Sequence, residues 1–400
     1  MNAAWRSGDQ SAKLRSAVVE RQDDMNAQVS PNSRSSFRLV GVMAFVGLVL
    51  TGCASGRLDT TKPVGQNAKD IDFLYRLSGI MAAVVGILVG AAVIVVIVKF
   101  RAKKDTYDEL PEQIHGHLKA ELTWTAIPAL MLAGLAAFTL PVIFQLNEEG
   151  DGSTIQVEGQ QWWWQFTYDL DNDGVFETQT ANEIVIRVGE EVNLEITSND
   201  VIHSFWVPEL NGKRDAVPGR VHPWRISSPV EGIFWGECTE FCGLSHANMQ
   251  IRAVVLNDAE YVEWVAGQLT DPALPPADTA AAAGAEVFAA QCARCHVVNG
   301  SYETAAGGKA GVTSGYAPNL SDLMSRTSFA GALFELYDKD GNRNLADLRE
   351  WVRDAPGMKP MAPDNLQGMP SFAETLSETE LDNILAYLQT LGEDPPLMPS

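Results

Sequence analysis

Four side chains that bind soft metal ions are concentrated in one short stretch of the chain. Cys238 and Cys242 are followed by His246 and Met249, and a further histidine, His203, lies upstream in the sequence Val-Ile-His-Ser-Phe-Trp-Val-Pro. Thiolate, imidazole and thioether ligands together suit copper, and two neighbouring thiolates can bridge two metal ions. These residues predict a two-copper electron-transfer centre. Two cysteines alone would also be compatible with structural zinc or a disulfide.

A second motif has the spacing of a c-type haem attachment site. Cys292 and Cys295 enclose two residues and are followed directly by His296. In such a motif both thiols bond to the haem and the histidine binds its iron. A methionine on the opposite face would raise the haem potential. Met369, in the sequence Met-Pro-Ser-Phe, is the preferred candidate, and the alternatives are Met361, Met358 and Met324.

The first apolar run has the features of a bacterial lipoprotein signal. Arg34 and Arg38 precede residues 39–50, which lead into the sequence Leu-Thr-Gly-Cys53. A basic region, a short apolar region and small residues before a cleavage point define a secretory signal. We therefore expect cleavage and lipidation at Cys53. An uncut membrane anchor is the alternative, and Met25 is an alternative start.

Two longer apolar runs predict a membrane hairpin. Residues 77–98 and 123–144 carry no charged side chain, and each run is long enough to cross a bilayer. The segment between them contains several lysines and Arg101, so the positive-inside rule places it in the cytoplasm. We therefore expect Cys53 and all residues after Phe144 on the outer face of a bacterial plasma membrane.

Beyond the hairpin the sequence pattern changes twice. Short β-type runs separated by turn residues fill residues 155–256, which predicts a β-sandwich or Greek-key barrel with the copper motif in a loop. Residues 270–283 are rich in proline and alanine, as is typical of a linker. The amphipathic run 376–388 predicts a helix near the C-terminus.

These motifs resemble subunit II of haem-copper cytochrome c oxidases. The likeness is carried by the copper loop 238–249, the His203 segment, Asp215-Ala-Val-Pro-Gly-Arg220, Gln161-Trp-Trp-Trp164 and the sequence 121–128. After residue 284 the chain is similar to class I cytochromes c, through its haem motif, Pro318, Met369 and terminal helix. The combination resembles the caa3-type oxidases, in which a cytochrome c is fused to subunit II.

The resemblance implies a multidomain fold. It consists of a two-helix transmembrane hairpin, a cupredoxin-like Greek-key β-barrel and an all-α class I cytochrome c domain. The expected boundaries are 1–52 for the leader and signal peptide, 53–150 for the hairpin, 151–260 for the copper domain, 261–283 for a helix end and linker, and 284–400 for the cytochrome domain. The linker is expected to raise the local concentration of haem near the copper.

The resemblance also implies which residues hold each cofactor. A binuclear copper centre, CuA, would be bound by His203, Cys238, the Glu240 carbonyl, Cys242, His246 and Met249. Haem c would be attached to Cys292 and Cys295 and ligated by His296 and Met369. The Glu240 carboxylate would help to hold a magnesium ion at the interface with subunit I.

Two further residues acquire expected roles from the family. Trp162 matches the residue at which electrons enter the copper domain, and Glu121 matches the mouth of a proton channel into subunit I. The structural alternatives are sheet packing for Trp162 and an interfacial charge at a helix end for Glu121. Packing is the preferred interpretation of Trp164. His115, His117 and His222 are not expected to bind metal.

The implied function is that of subunit II of a respiratory oxidase. Electrons would arrive at haem c from a bc-type complex or a soluble cytochrome c, pass to CuA, and continue to haem a of subunit I. Oxygen would be reduced to water there, with proton pumping. Other oxidase subunits and the membrane are the expected partners. The formal charge of −22 argues against nucleic acid as a partner.

Other functions share parts of this pattern. Nitrous oxide reductase also carries CuA, but its catalytic copper cluster needs many more histidines than the six in this chain. A membrane electron carrier without an oxidase is the second alternative, against which the Glu121 sequence argues. The intact copper ligands exclude a quinol oxidase subunit. Residues 169–174 resemble the start of a calcium loop, although an acidic hairpin turn is the preferred interpretation.

Overall fold

The computed structural model of the protein describes residues 41, 56–101, 115–170, 173–299, 317–362 and 367–397. Apart from residue 41, the predicted signal lies outside these residues, as do its lipidation site Cys53 and the alternative start Met25. The chain divides at residue 56, and the second unit, residues 57–400, is compact and contains both metal motifs.

Two long helices follow the start of the second unit. Helix α1 (Gln66–Lys99) and helix α2 (Leu118–Leu146) have mean hydropathies of 3.1 and 2.2 in their most apolar windows, and both are long enough to cross a membrane. Each begins before its apolar run because polar residues continue the helix outside that run. At one end of the pair, the Gln145 side chain donates to the Asp70 carboxylate at 2.9 Å.

The membrane hairpin is tied directly to the β-domain. The backbone N–H groups of Val64 and Gly65 donate to the Glu209 carbonyl at 2.7 and 2.9 Å. Gly65 lies so close to Leu210 that a Cβ atom there would overlap the Leu210 carbonyl oxygen. This close backbone contact leaves little freedom between α1 and the domain beside it.

Ten strands are present in the described residues of the β-domain. They are β1 (Thr154–Gln160), β2 (Trp163–Asp169), β3 (Thr178–Ala181), β4 (Glu183–Arg187), β5 (Val192–Ser198), β6 (His203–Trp206), β7 (Arg214–Ala216), β8 (His222–Ile226), β9 (Gly232–Cys238) and β10 (Gln250–Leu256). One sheet has the order β3-β2-β1-β5-β8, and the other has the order β4-β10-β9-β6-β7. Strands β1 and β5 pair in parallel, as do β4 and β10. The sheets form the predicted β-sandwich.

The two sheets share one apolar core. Strand β5 alternates buried and half-buried residues along its length, as a strand with one face in a core does. The Trp164 ring of β2 meets the Phe205 ring of β6 edge to face at 5.6 Å. Helix α3 (Asp258–Gln268) closes the domain, and its Trp264 ring lies 5.2 Å from that of Tyr168. The core therefore holds the two sheets together directly beneath the copper motif.

Three helices make up most of the described part of the C-terminal domain. They are α4 (Ala280–Gln291), α5 (Leu345–Met358, kinked at Asp354) and α6 (Glu378–Leu388), with a short pair of strands, β11 (Ser328–Phe329) and β12 (Phe334–Glu335). Helices α4 and α6 cross closely at Gly284, where a Cβ atom would overlap the Asn383 carbonyl. The Phe288 and Tyr387 rings pack 5.3 Å apart at this crossing. The leucine and isoleucine face predicted for α6 is buried.

Helix α4 begins four residues before the predicted domain boundary at residue 284, at Ala280. The alanines assigned to the linker form its first turn because alanine has the highest helix propensity. The Thr279 hydroxyl also accepts the Ala282 N–H at 3.1 Å, which caps the helix. The irregular connection between α3 and α4 is therefore shorter than the composition suggested.

One carboxyl group of the C-terminal domain is buried at a cost. Asp322, which precedes the 3₁₀ turn Leu323–Ser325, is only 7% exposed. Burial raises the pKa of its carboxyl to about 7, and the nearby Arg326 offsets this only in part. The folded state therefore binds more protons than the unfolded chain between about pH 4 and pH 7. The carboxyl group of Asp322 loses its proton as pH rises through this window, and the folded state becomes less stable.

We expect Asp322→Asn to stabilise the C-terminal domain at about pH 8 by up to about 4 kcal/mol, and to have a smaller effect at about pH 5. The amide cannot ionise, so the decline in stability with pH should be reduced. Calorimetric unfolding at the two pH values measures this, with the exposed Asp340→Asn as the control. An equal effect of Asp322→Asn at both pH values would contradict the assignment.

Candidate metal centres

The second sheet brings the predicted copper ligands to one end. His203 is the first residue of β6 and Cys238 is the last of β9, and these neighbouring strands run antiparallel. The start of one strand therefore lies beside the end of the other. Met249 directly precedes β10, which pairs with β9 on its other side. The loop between β9 and β10 supplies the remaining predicted ligands.

The sulfur and nitrogen atoms of these residues converge. The two thiol sulfurs of Cys238 and Cys242 lie 3.8 Å apart. His203 Nδ1 is 3.9 Å from the first sulfur, and His246 Nδ1 is 3.5 Å from the second. His203, Cys238 and Cys242 are buried and present their ligand atoms within 4.8 Å of one another. One soft-ligand cluster therefore forms where a binuclear site was predicted.

The last two predicted ligand groups complete the cluster. The Met249 sulfur lies 3.9 Å from the Cys242 sulfur, and the Met249 side chain is fully buried. The Glu240 carbonyl oxygen lies 3.3 Å from the Cys238 sulfur, while the Glu240 side chain is exposed. The backbone of Glu240 therefore faces the cluster and its carboxylate faces away from it.

The two neighbouring thiols shift each other's pKa in opposite directions. Hydrogen bonds with Cys242 and His203 lower the pKa of Cys238, while the hydrogen bond with Cys238 and burial raise the pKa of Cys242. One sulfur therefore carries negative charge readily even without a metal ion. Since thiolate is the form that binds metal, this donor set fits copper.

Asp200 was not singled out in the sequence, yet it orients His203. Its carboxylate lies 2.8 Å from His203 Nε2, on the side of the ring opposite the thiols. Burial lowers the pKa of His203, but the hydrogen bonds with Asp200 and Cys238 outweigh it and raise that pKa. A carboxylate that binds the far nitrogen of a ligand histidine holds the ring in place and increases its basicity. In the sequence, the only indication of this role was that Asp200 lies three residues before the candidate ligand His203.

The remaining wall around His203 is aromatic and tightly packed. The Trp164 ring contacts the His203 ring edge to face at 5.9 Å, which agrees with packing as the role of Trp164. A Cβ atom on Gly159 would lie 2.8 Å from the His203 ring. The absence of a side chain at Gly159 therefore makes room for the histidine.

Trp162 joins the copper loop to a second cavity. Its indole N–H donates to the Cys242 carbonyl at 3.0 Å, and the Gln161 side chain donates to the same oxygen at 2.6 Å. Trp162 and Trp163 also line a cavity of about 460 Å³ together with the haem motif. The two predicted metal sites therefore share Trp162.

The haem motif lines the same cavity, through Cys292, Cys295 and His296. His296 Nδ1 donates to the Pro318 carbonyl at 2.8 Å, which leaves Nε2 as the ligand atom. Burial lowers the pKa of His296 and so favours the neutral imidazole that binds iron. The Pro318 carbonyl thus orients the histidine.

Two of the four candidate methionines line the cavity, Met361 and Met369. The Met361 sulfur accepts the Met369 N–H at 3.2 Å, and the Met361 side chain packs against the core of the β-domain. Met324 is buried in the core of the C-terminal domain instead. The preference for Met369 therefore remains compatible with the structure.

The predicted sites at the membrane and at the acidic turn remain separate from this pair. The Glu121 carboxylate, in the first turn of helix α2, accepts the N–H of the N-cap residue His117 at 3.0 Å. Asp169, Asp173 and Glu177 form an acidic cluster, in which Asp169 accepts the N–H groups of Asp173 and Gly174. These bonds are those of a turn.

Three family models match the chain in the order of its domains. The model of the cytochrome c oxidase subunit II transmembrane domain matches residues 59–142, and that of its periplasmic domain matches residues 167–256. A cytochrome c model matches residues 281–392. The expected order of hairpin, copper domain and cytochrome domain is therefore confirmed.

Curated relatives extend over nearly the whole chain. Cytochrome c oxidase subunit 2 of Alkalihalophilus pseudofirmus is 35% identical over 87% of this chain and 95% of its own length. The protein of the same name from a Bacillus species is 28% identical over 89% and 98%. A crystal structure of the periplasmic domain of subunit II from Bradyrhizobium japonicum is 31% identical, covers 30% of this chain and 96% of its own, and has a TM-score of 0.28. The chain therefore belongs to the cytochrome c oxidase subunit 2 family and carries a cytochrome c domain at its C-terminal end.

Proposed function

We propose that this chain is the subunit through which electrons enter a respiratory cytochrome c oxidase, and that they enter at its C-terminal cytochrome domain. One observation carries the proposal. Trp162 lines the cavity beside the haem motif. Its indole N–H donates to the carbonyl of Cys242 in the copper loop. A single side chain thus touches both predicted redox sites.

The residues that would hold the two cofactors fit them. His203, Cys238, Cys242, His246, Met249 and the Glu240 carbonyl would bind CuA; Cys292, Cys295, His296 and Met369 would hold haem c. When bound, these groups supply one-electron redox chemistry at potentials that the protein ligands adjust. The chain contributes fixed ligand geometry, and Asp200 holds His203 in its orientation.

The direction of electron transfer follows from which partner each domain would meet. A donor of the bc-complex or soluble cytochrome class would reach the cytochrome domain on the outer face of a bacterial plasma membrane. Electrons would leave the copper domain for haem a of subunit I, where oxygen reduction to water is coupled to proton pumping. The two apolar helices would anchor the chain in the membrane beside that subunit.

Two finer assignments belong to the same proposal. The exposed Glu240 carboxylate would complete a magnesium site with groups of subunit I, since its carbonyl already faces the copper cluster. Glu121, at the first turn of α2, would stand at the mouth of the proton channel. Lipidation of Cys53 would add a further anchor on the outer side.

The purified full-length protein should show both a near-infrared CuA band and a c-type haem spectrum. Cys238→Ser should abolish the near-infrared band and leave the haem spectrum unchanged, because Cys238 contacts only the copper cluster among the proposed ligands. Optical and electron paramagnetic resonance spectra measure both features. The absence of the near-infrared band in copper-reconstituted wild-type protein would refute the copper assignment.

Met369→Leu should abolish the low-spin methionine–histidine signature of the haem and lower its reduction potential, because a methionine ligand raises that potential. Met361→Leu is the matched control, since Met361 lines the same cavity but packs against the β-domain. Absorption spectra and redox titrations of the two variants decide between them. A normal spectrum for Met369→Leu and an altered one for Met361→Leu would assign the ligand to Met361.

A further inference from the structure

Buried hydrogen bonds join the cytochrome domain to the β-domain. Glu183, the first residue of β4, is 3% exposed and accepts hydrogen bonds from the Thr327 N–H at 2.9 Å and the Thr327 hydroxyl at 2.8 Å. The Ser328 hydroxyl donates to the same carboxylate. A buried carboxylate of one domain is thus satisfied by donors of the other.

A complementary charge lies beside this carboxylate. Arg252 on β10 is the direct register partner of Glu183 on β4 and is fully buried. Its guanidinium donates to the Thr327 hydroxyl at 2.8 Å and to the Glu335 carboxylate at 2.7 Å. Thr327 therefore bridges two opposite charges of the β-domain.

A buried amine of the cytochrome domain makes the corresponding contact with the β-domain. Lys359 follows α5, is 2% exposed, and its ammonium group donates to the Trp162 carbonyl at 2.7 Å and the Ala330 carbonyl at 3.0 Å. The Gln250 N–H donates to the Gly331 carbonyl at 3.0 Å beside it. Lysine is rarely fully buried unless its charge is paired or hydrogen-bonded, so this group requires both carbonyls to stay where they are.

Buried charges specify one arrangement of the two domains. A shift of the cytochrome domain by a few ångströms would leave these groups buried without their partners, which is strongly unfavourable. The arrangement also covers Trp162, which is 3% exposed and lies under Gly331 and Lys359. A separate protein cannot touch this tryptophan while the domain is in place.

We propose that Glu183, Arg252 and Lys359 lock the cytochrome domain in one fixed position over Trp162, so that electron delivery to the copper domain requires no domain movement. The electron-delivery half rests on the proposed function, whereas the lock itself does not. The linker composition suggested a flexible tether, which would favour electron transfer by raising the local concentration of the cytochrome domain. A lock instead favours it by holding the two domains in a fixed geometry.

Hydrogen–deuterium exchange in the purified oxidase complex tests the lock independently of any cofactor. The amides of Thr327 and Gln250 both donate across the domain boundary, so both should exchange slowly in the wild type. Thr327→Val combined with Ser328→Ala should accelerate exchange at Gln250 by about tenfold or more. Thr375→Val is the matched control, because its hydroxyl bonds within the cytochrome domain. Wild-type exchange as fast as that of the linker amides would overturn the lock.

The rate of electron transfer from haem c to CuA tests the electron-delivery part of the proposal. In the wild-type complex the rate should not change with solvent viscosity, because no domain movement precedes transfer. Lys359→Met should lower the rate by about tenfold and make it depend on viscosity, while both spectra remain normal. A wild-type rate that falls in proportion to viscosity would overturn fixed delivery. Slow exchange at Thr327 and Gln250 together with missing copper or haem spectra would instead refute the proposed function and leave the lock standing.

Discussion

The hydrogen bond from the Trp162 indole to the Cys242 carbonyl is the contact on which the other features depend. It connects a wall of the haem-motif cavity to a proposed copper ligand at 3.0 Å. The β-sandwich core holds the tryptophan on one side, and Lys359 binds its carbonyl on the other. The neighbouring Gln161 side chain donates to the same carbonyl at 2.6 Å and lines the same cavity, so two adjacent residues join the two predicted metal sites.

The local motifs of the sequence predicted the chemistry well because each is read from residues close together in the chain. Cys238, Cys242, His246 and Met249 lie on one loop, and only His203 had to be brought from another strand. The membrane hairpin was equally predictable, since its signal is unbroken apolar length. The fold class and the family resemblance are confirmed, while the role of each ligand stays a prediction.

What the sequence did not reveal are contacts between residues far apart in the chain. Glu183 meets Thr327 only because β4 lies at the edge of its sheet and faces the cytochrome domain. Lys359 was not singled out in the sequence, yet it is buried, and burial lowers its pKa to about 7. No periodicity or motif marks such a residue, because its burial is created by a second domain. Asp200 was easier to predict, because it lies three residues before the proposed ligand His203.

Electron transfer through Trp162 is the central claim, and one measurement tests it most directly. After photochemical reduction of haem c in the purified complex, the rate at which CuA becomes reduced is followed in wild type and in Trp162→Leu. The account predicts that the rate falls by about tenfold or more while both spectra and the exchange of the Gln250 amide stay normal. An unchanged rate in a variant with intact cofactors and an intact domain interface would contradict it.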